Sequence, residues 1–91
     1  MKPYIVCSGA NGQCVVFGYS ETEPEVGKPH RLERARMVIY WPEACNGLLG
    51  LAAAGPKPGL RLTPEVSFVK DMTVEVVGVS ELAAAGLSSW R

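Results

Sequence analysis

Hydrophobic and polar positions in this chain fall into short blocks, separated by glycine, proline and asparagine. Residues 3–7 (Pro-Tyr-Ile-Val-Cys) and 13–19 (Gln-Cys-Val-Val-Phe-Gly-Tyr) are rich in aromatic and β-branched strand formers. Between them stands Ser8-Gly-Ala-Asn-Gly12, and Asn-Gly readily takes the positive φ angles of a tight turn. The three pieces predict an opening β-hairpin, with Cys7 and Cys14 near each other across it. Residues 31–41 predict a long strand. Ala35, Met37, Ile39 and Trp41 recur at two-residue spacing, while Arg34, Arg36, Val38 and Tyr40 fall on the opposite face. Leu32 is out of step with the four, so an irregularity is expected near Glu33-Arg34. Pro42 ends the strand, because proline cannot donate to a ladder.

The second half is more broken. Leu48 to Ala54 predicts one or two turns of helix, closed by Gly55 and Pro56 and weakened by Gly50. Residues 60–63 and 66–69 are short strand segments on either side of Pro64. Residues 72–79 (Met-Thr-Val-Glu-Val-Val-Gly-Val) alternate as a strand, and Ser80 is placed to cap a terminal helix over 81–87. Trp90 is expected to anchor the tail on the sheet. The fold class is therefore mainly β (α+β): a small antiparallel sheet or partly open barrel. It has an N-terminal hairpin, one short helix mid-chain and a short C-terminal helix. Its 91 residues make a single domain, 1–91.

Composition changes this picture in one respect. Hydrophobic residues are 47% of the chain, a surplus for a domain whose size leaves its core marginal. A homo-oligomer is the expected remedy. The start (Met1-Lys-Pro-Tyr-Ile) does not read as a signal peptide, and no window approaches the length of a membrane span, so cytoplasm is the expected compartment and a membrane is not an expected partner. Three cysteines, an odd number without Cys-x-x-Cys spacing, read as reduced thiols packed as small hydrophobes.

Charge is the informative property. The formal net charge is zero, yet residues 28–61 carry six cations (Lys28, Arg31, Arg34, Arg36, Lys57, Arg61) against Glu33 and Glu43. That is a local +4, balanced by −4 elsewhere. A zero net charge argues against long nucleic acid as a partner. The same segment holds Tyr40-Trp41 and a run of glycines and prolines. Arginine forks suit phosphate oxygens, and an aromatic ring can stack on a base. Arg34, Arg36, Tyr40, Trp41, Lys57 and Arg61 are accordingly the candidate ligand-binding residues, expected to converge on one hollow around a small anionic, nucleotide-like ligand.

Other chemistries find less support. Gly-x-Ser-x-Gly is absent, as is the Gly-Lys-[Ser/Thr] ending of a P-loop. The acids at 21, 23 and 25 alternate in a polar loop that lacks the ordered oxygen ligands of a calcium site. His30 reads as a loop residue and Glu75 as an outward strand position. No catalytic residue, metal ligand or cofactor is indicated.

The run Arg34-Ala-Arg-Met-Val-Ile-Tyr-Trp-Pro42, followed by Gly47-Leu-Leu-Gly-Leu-Ala-Ala-Ala-Gly-Pro-Lys-Pro-Gly-Leu-Arg61, resembles a family of small uncharacterised proteins of tailed bacteriophages and prophages. Their pattern runs Ala-Arg-x-x-x-Tyr-Trp, then Gly-Leu-x-Gly-Leu-Ala-Ala-x-Gly-Pro, then a basic strand. The resemblance extends over nearly the whole chain, and is looser at Leu82 to Leu87. It implies a phage origin and no particular activity. The expectation is a non-enzymatic protein that sequesters a small anionic ligand, such as a nucleotide-type immune signal of the host. The competing expectation is an interaction protein that assembles through its aromatic and leucine-rich surface without a ligand.

Overall fold

The computed structural model describes residues 1–8, 14–70, 73 and 75–91. Among the described residues six strands and two helices follow in order: β1 (Lys2–Ser8), β2 (Cys14–Ser20), β3 (His30–Tyr40), α1 (Gly47–Ala54), β4 (Arg61–Leu62), β5 (Val66–Lys70), β6 (Glu75–Gly78) and α2 (Glu81–Ser89). A 3-10 turn at Glu43–Cys45 leads into α1. The strands form one antiparallel, unclosed sheet in the order β4-β3-β2-β1-β6, with β5 also paired to β3. The opening hairpin is present in the register Lys2↔Ser20 to Ser8↔Cys14. Its turn, 9–13, lies outside the described residues. Cys7 opposes Val15 and Ser8 opposes Cys14, so the two cysteines sit one step apart on opposite faces of the sheet.

β1 and β2 are central and buried on both sides. Tyr4, Ile5, Val6 and Cys7 are buried, as are Val15, Val16 and Phe17. This is why these segments read as continuous apolar runs rather than as clean alternation. Ile5, Cys7, Val15 and Phe17 face the helices and meet Cys45, Leu51, Ala52, Leu60, Ala84 and Leu87. Val6, Val16, Leu32 and Ala35 form a second, smaller cluster on the other face, with Cys14, Met37 and Val76 against it.

The helices have eight and nine residues, too short to hold alone, since isolated helices below about 12–15 residues are marginal. Burial against the sheet supports them, at about 1.5–3 kcal/mol for each fully buried Leu51 or Leu87. The Ser80 hydroxyl accepts from Ala83 N at 3.1 Å and donates to Ala53 O at 2.7 Å, so one residue caps α2 and ties it to the end of α1. Gly50 has a packing reason: a Cβ there would collide with the Cys45 carbonyl oxygen.

β3 is the unusual element. Between Phe17↔Arg36 and Tyr19↔Glu33 it spends one residue more than β2, and between Leu32↔Phe68 and Ala35↔Val66 one more than β5. The extra residue is a bulge at Arg34, whose φ is +53°. It lets Leu32 and Ala35, three apart, enter the same cluster. Left-handed backbone costs a non-glycine residue about 1–2 kcal/mol. Burial of Leu32, 0% exposed, outweighs that cost. Gly18 makes room: a Cβ on it would lie 2.9 Å from Leu32 Cβ and 3.4 Å from Ala35 Cα.

A second irregularity lies between Val38↔Leu62 and Tyr40↔Arg61, where β4 spends one residue and β3 two. Val38, Trp41 and Leu62 all pack on the helix-side cluster. Val38 and Trp41 are also three apart. The expected single face of Ala35, Met37, Ile39 and Trp41 is therefore corrected: Trp41 turns to the helices and Ala35 and Met37 do not.

Replacing Gly18 with alanine forces the bulge backbone to move. Gly18→Ala is expected to lower unfolding free energy by about 1–3 kcal/mol in urea titration, with the slope of the transition unchanged.

Candidate functional site

Of the six candidate binding residues, two stand side by side and the other four lie apart from them. Arg36 lies inside: it is only 7% exposed and points to the helix side of the sheet. Its Nε donates to Thr63 O at 2.8 Å and its Nη1 to Leu87 O at 2.6 Å. Leu87 belongs to the last turn of α2, where the helix dipole is negative, so the guanidinium is balanced by backbone rather than by a carboxylate. The opposite-face expectation for Arg36 is right in parity. That face is the helix-covered one, which is why the side chain is sequestered.

Arg34 stays at the surface but is engaged. Its Nη2 lies 3.3 Å from Glu65 Oε1, and its guanidinium carbon lies 5.0 Å from the centre of the Tyr19 ring. Tyr19 in turn shares a 2.7 Å hydrogen bond with Ser88 Oγ. Trp41 is half-buried against the helix-side core. Lys57 is half-buried in the turn before β4, which Leu60 N closes on Lys57 O at 3.1 Å. Trp90 Nε1 donates to Leu60 O at 2.8 Å, so the tail is anchored as expected.

Tyr40 and Arg61 are the pair that comes together. They are register partners, so their side chains stand on the same face with Cβ atoms about 4.5–5.5 Å apart. Leu60 and Leu62, on either side of Arg61, join the helix-side core. Alternation then sends Arg61, and Tyr40 with it, to the opposite face. Tyr40 is 57% exposed and Arg61 is exposed. Among the described residues Arg61 has no ion-pair partner.

On the same face, the next rung along the strands opens into a hollow of about 310 Å³. Val16, Ala35, Met37, Thr63, Pro64 and Val66 line it. Its one side-chain hydroxyl, on Thr63, accepts from Met37 N at 2.9 Å. Ile39, 58% exposed, stands beyond Met37 on β3. The arrangement is an apolar recess with an aromatic ring and one unpaired guanidinium at its end.

A model of a domain of unknown function, DUF6948, matches residues 1–90. The chain belongs to the DUF6948 family. No match was found among curated proteins or among solved structures.

Two other constellations in this DUF6948 domain were not legible in the sequence. Ser20 Oγ and His30 Nε2 lie 2.6 Å apart, the spacing of a nucleophile and its base. Ser20 Oγ also lies 2.6 Å from Thr22 O and accepts from Thr22 N at 3.3 Å, so the hydroxyl is shared between the histidine ring and the following turn. The pair pins the start of β3 to the end of β2, and His30 is a strand residue rather than a loop one. A larger hollow of about 510 Å³ lies between the 21–29 loop and β6, lined by Glu23, Glu25, Lys28 and Val76 among others. Lys28 and Glu25 pair with each other there at 3.0 Å, both well exposed. Among the described residues no three His, Cys, Asp or Glu side chains gather as a metal site, and no helix is long and apolar enough to cross a membrane.

The two arginines of β3 are expected to behave differently. Arg36→Met removes two charge-assisted hydrogen bonds and should destabilise by about 1–3 kcal/mol. Arg34→Ala should cost less than about 1 kcal/mol, because exposed pairs contribute little. Chemical denaturation of both variants distinguishes them.

Proposed function

We propose that this protein is a non-catalytic binding domain that holds a small anionic ligand at Tyr40 and Arg61. The observation that carries this reading is their register: an exposed ring and an unpaired guanidinium stand side by side. A guanidinium fork matches a carboxylate, sulfonate or phosphate, and the ring offers a stacking face. Arg36 is already engaged by two backbone carbonyls, and Arg34 has Glu65 beside it, so neither carries this reading. Holding a ligand without transforming it needs no nucleophile or base. In a phage-encoded protein such holding would act as sequestration of a host signal.

Calorimetry against a panel of organic monoanions and of linear and cyclic nucleotides tests the reading. At least one member is expected to bind, with Arg61→Ala weakening it by about tenfold or more. Arg34→Ala is expected to leave that affinity unchanged. Silence across the panel, or indifference to Arg61→Ala, would sink the proposal.

A further inference from the structure

We infer that the hollow beside Tyr40 and Arg61 is a second half of the same site, and that it receives an uncharged apolar body attached to the anionic group. The ligand class is then a small organic monoanion with a compact aliphatic or aromatic body. This rests on the anion-binding reading above and narrows it.

Three observations point to this class. First, the hollow offers a ligand one polar group, the Thr63 hydroxyl, which already accepts from Met37 N. Its other five lining residues are apolar in their side chains. A base or sugar entering it would leave most of its own donors and acceptors unpaired, at a cost of about 1–3 kcal/mol for each group. Second, its volume fits. A dry cavity of roughly 150 Å³ takes a benzene ring, so about 310 Å³ accommodates a two-ring body or a short branched chain. Third, among the described residues Arg61 is the cation in register with Tyr40, whereas a nucleoside polyphosphate calls for several converging cations. Thr63 on the hollow wall and Arg61 are two residues apart on one face, about 6.6 Å along the strand, which suits one anionic group joined directly to the body.

The bulges explain how such a site arises. Ala35 and Met37 reach this face because of the extra residue at Arg34, and Tyr40 joins Arg61 on it because of the extra residue in β3 opposite β4. The Pro64 break between β4 and β5 leaves the recess uncovered, with Val66 53% exposed at its rim.

Fluorescence titration with two probes tests the inference on the whole protein. One probe is naphthalene-1-sulfonate, an anion with a two-ring aromatic body. The other is naphthalene, the uncharged counterpart. Both are expected to bind at one site per chain with cooperative unfolding unchanged. Val66→Trp, which fills the hollow from its exposed rim, should weaken both by about tenfold or more, and Arg61→Ala only the sulfonate. If Val66→Trp does not fold, Pro64→Trp fills the same space from the other side. Failure of the neutral probe, or indifference of both probes to the filling variants, overturns the inference. If an anion from the calorimetric panel still binds through Arg61 in that case, the earlier reading stands without the hollow. If both probes respond to filling but neither to Arg61→Ala, the hollow stands and the anion reading falls. A dimer that excludes both probes and becomes monomeric on Val66→Trp would show a second copy in the hollow, and overturns the ligand.

Discussion

The parity of β3 governs this molecule. Side chains along a strand alternate with a period of two, so one inserted residue exchanges the faces of everything beyond it. β3 makes that exchange twice, first at Arg34 and again between Val38 and Tyr40. Between the two irregularities, Arg36 and Val38 look toward the helices while Ala35 and Met37 look away. Past the second one, Tyr40 looks away from the helices and Trp41 looks toward them. The strand can bear this because Gly18 leaves a gap at the first bulge that no other residue would leave.

The same parity joins the sheet to its helices. A buried arginine is costly unless its donors are met, and Arg36 meets Thr63 O and Leu87 O. It therefore links β3, the segment between β4 and β5, and the last turn of α2 through one planar group. Tyr19, Arg34, Glu65 and Ser88 make a looser chain around the same corner. With one corner fastened from the helix side, the opposite face remains open over its C-terminal half. The apolar hollow and the Tyr40–Arg61 pair occupy that open area. Structure and proposed site are two consequences of one strand's irregular geometry.

Much of this was readable from residue order. The hairpin strands, the Ser80 cap, the closing Gly55, the Trp90 anchor and even the break near Arg34 follow from local chemistry. Leu32 falling out of step with Ala35 was a sufficient signal for the first bulge. The second bulge left no such mark. Met37, Ile39 and Trp41 alternate so regularly that one face is the natural assignment, and only pairing with a two-residue β4 shows the register shift. The destination of Arg36 was also hidden. Arginine beside arginine reads as a basic surface, and the carbonyls that receive Arg36 lie 27 and 51 residues further along. Ser20 and His30 were obscured for the same reason, since the ends of two strands bring them together across a loop.

Arg36 and Arg61 lie on opposite faces of the sheet, and solvent exchange of the arginine Nε–H signals by NMR reads this directly. The Arg36 signal should exchange slowly and show proximity to Thr63 and Leu87, while the Arg61 signal exchanges at the rate of a solvated side chain. Equally fast exchange at both positions, with no contact from Arg36 to α2, would contradict it.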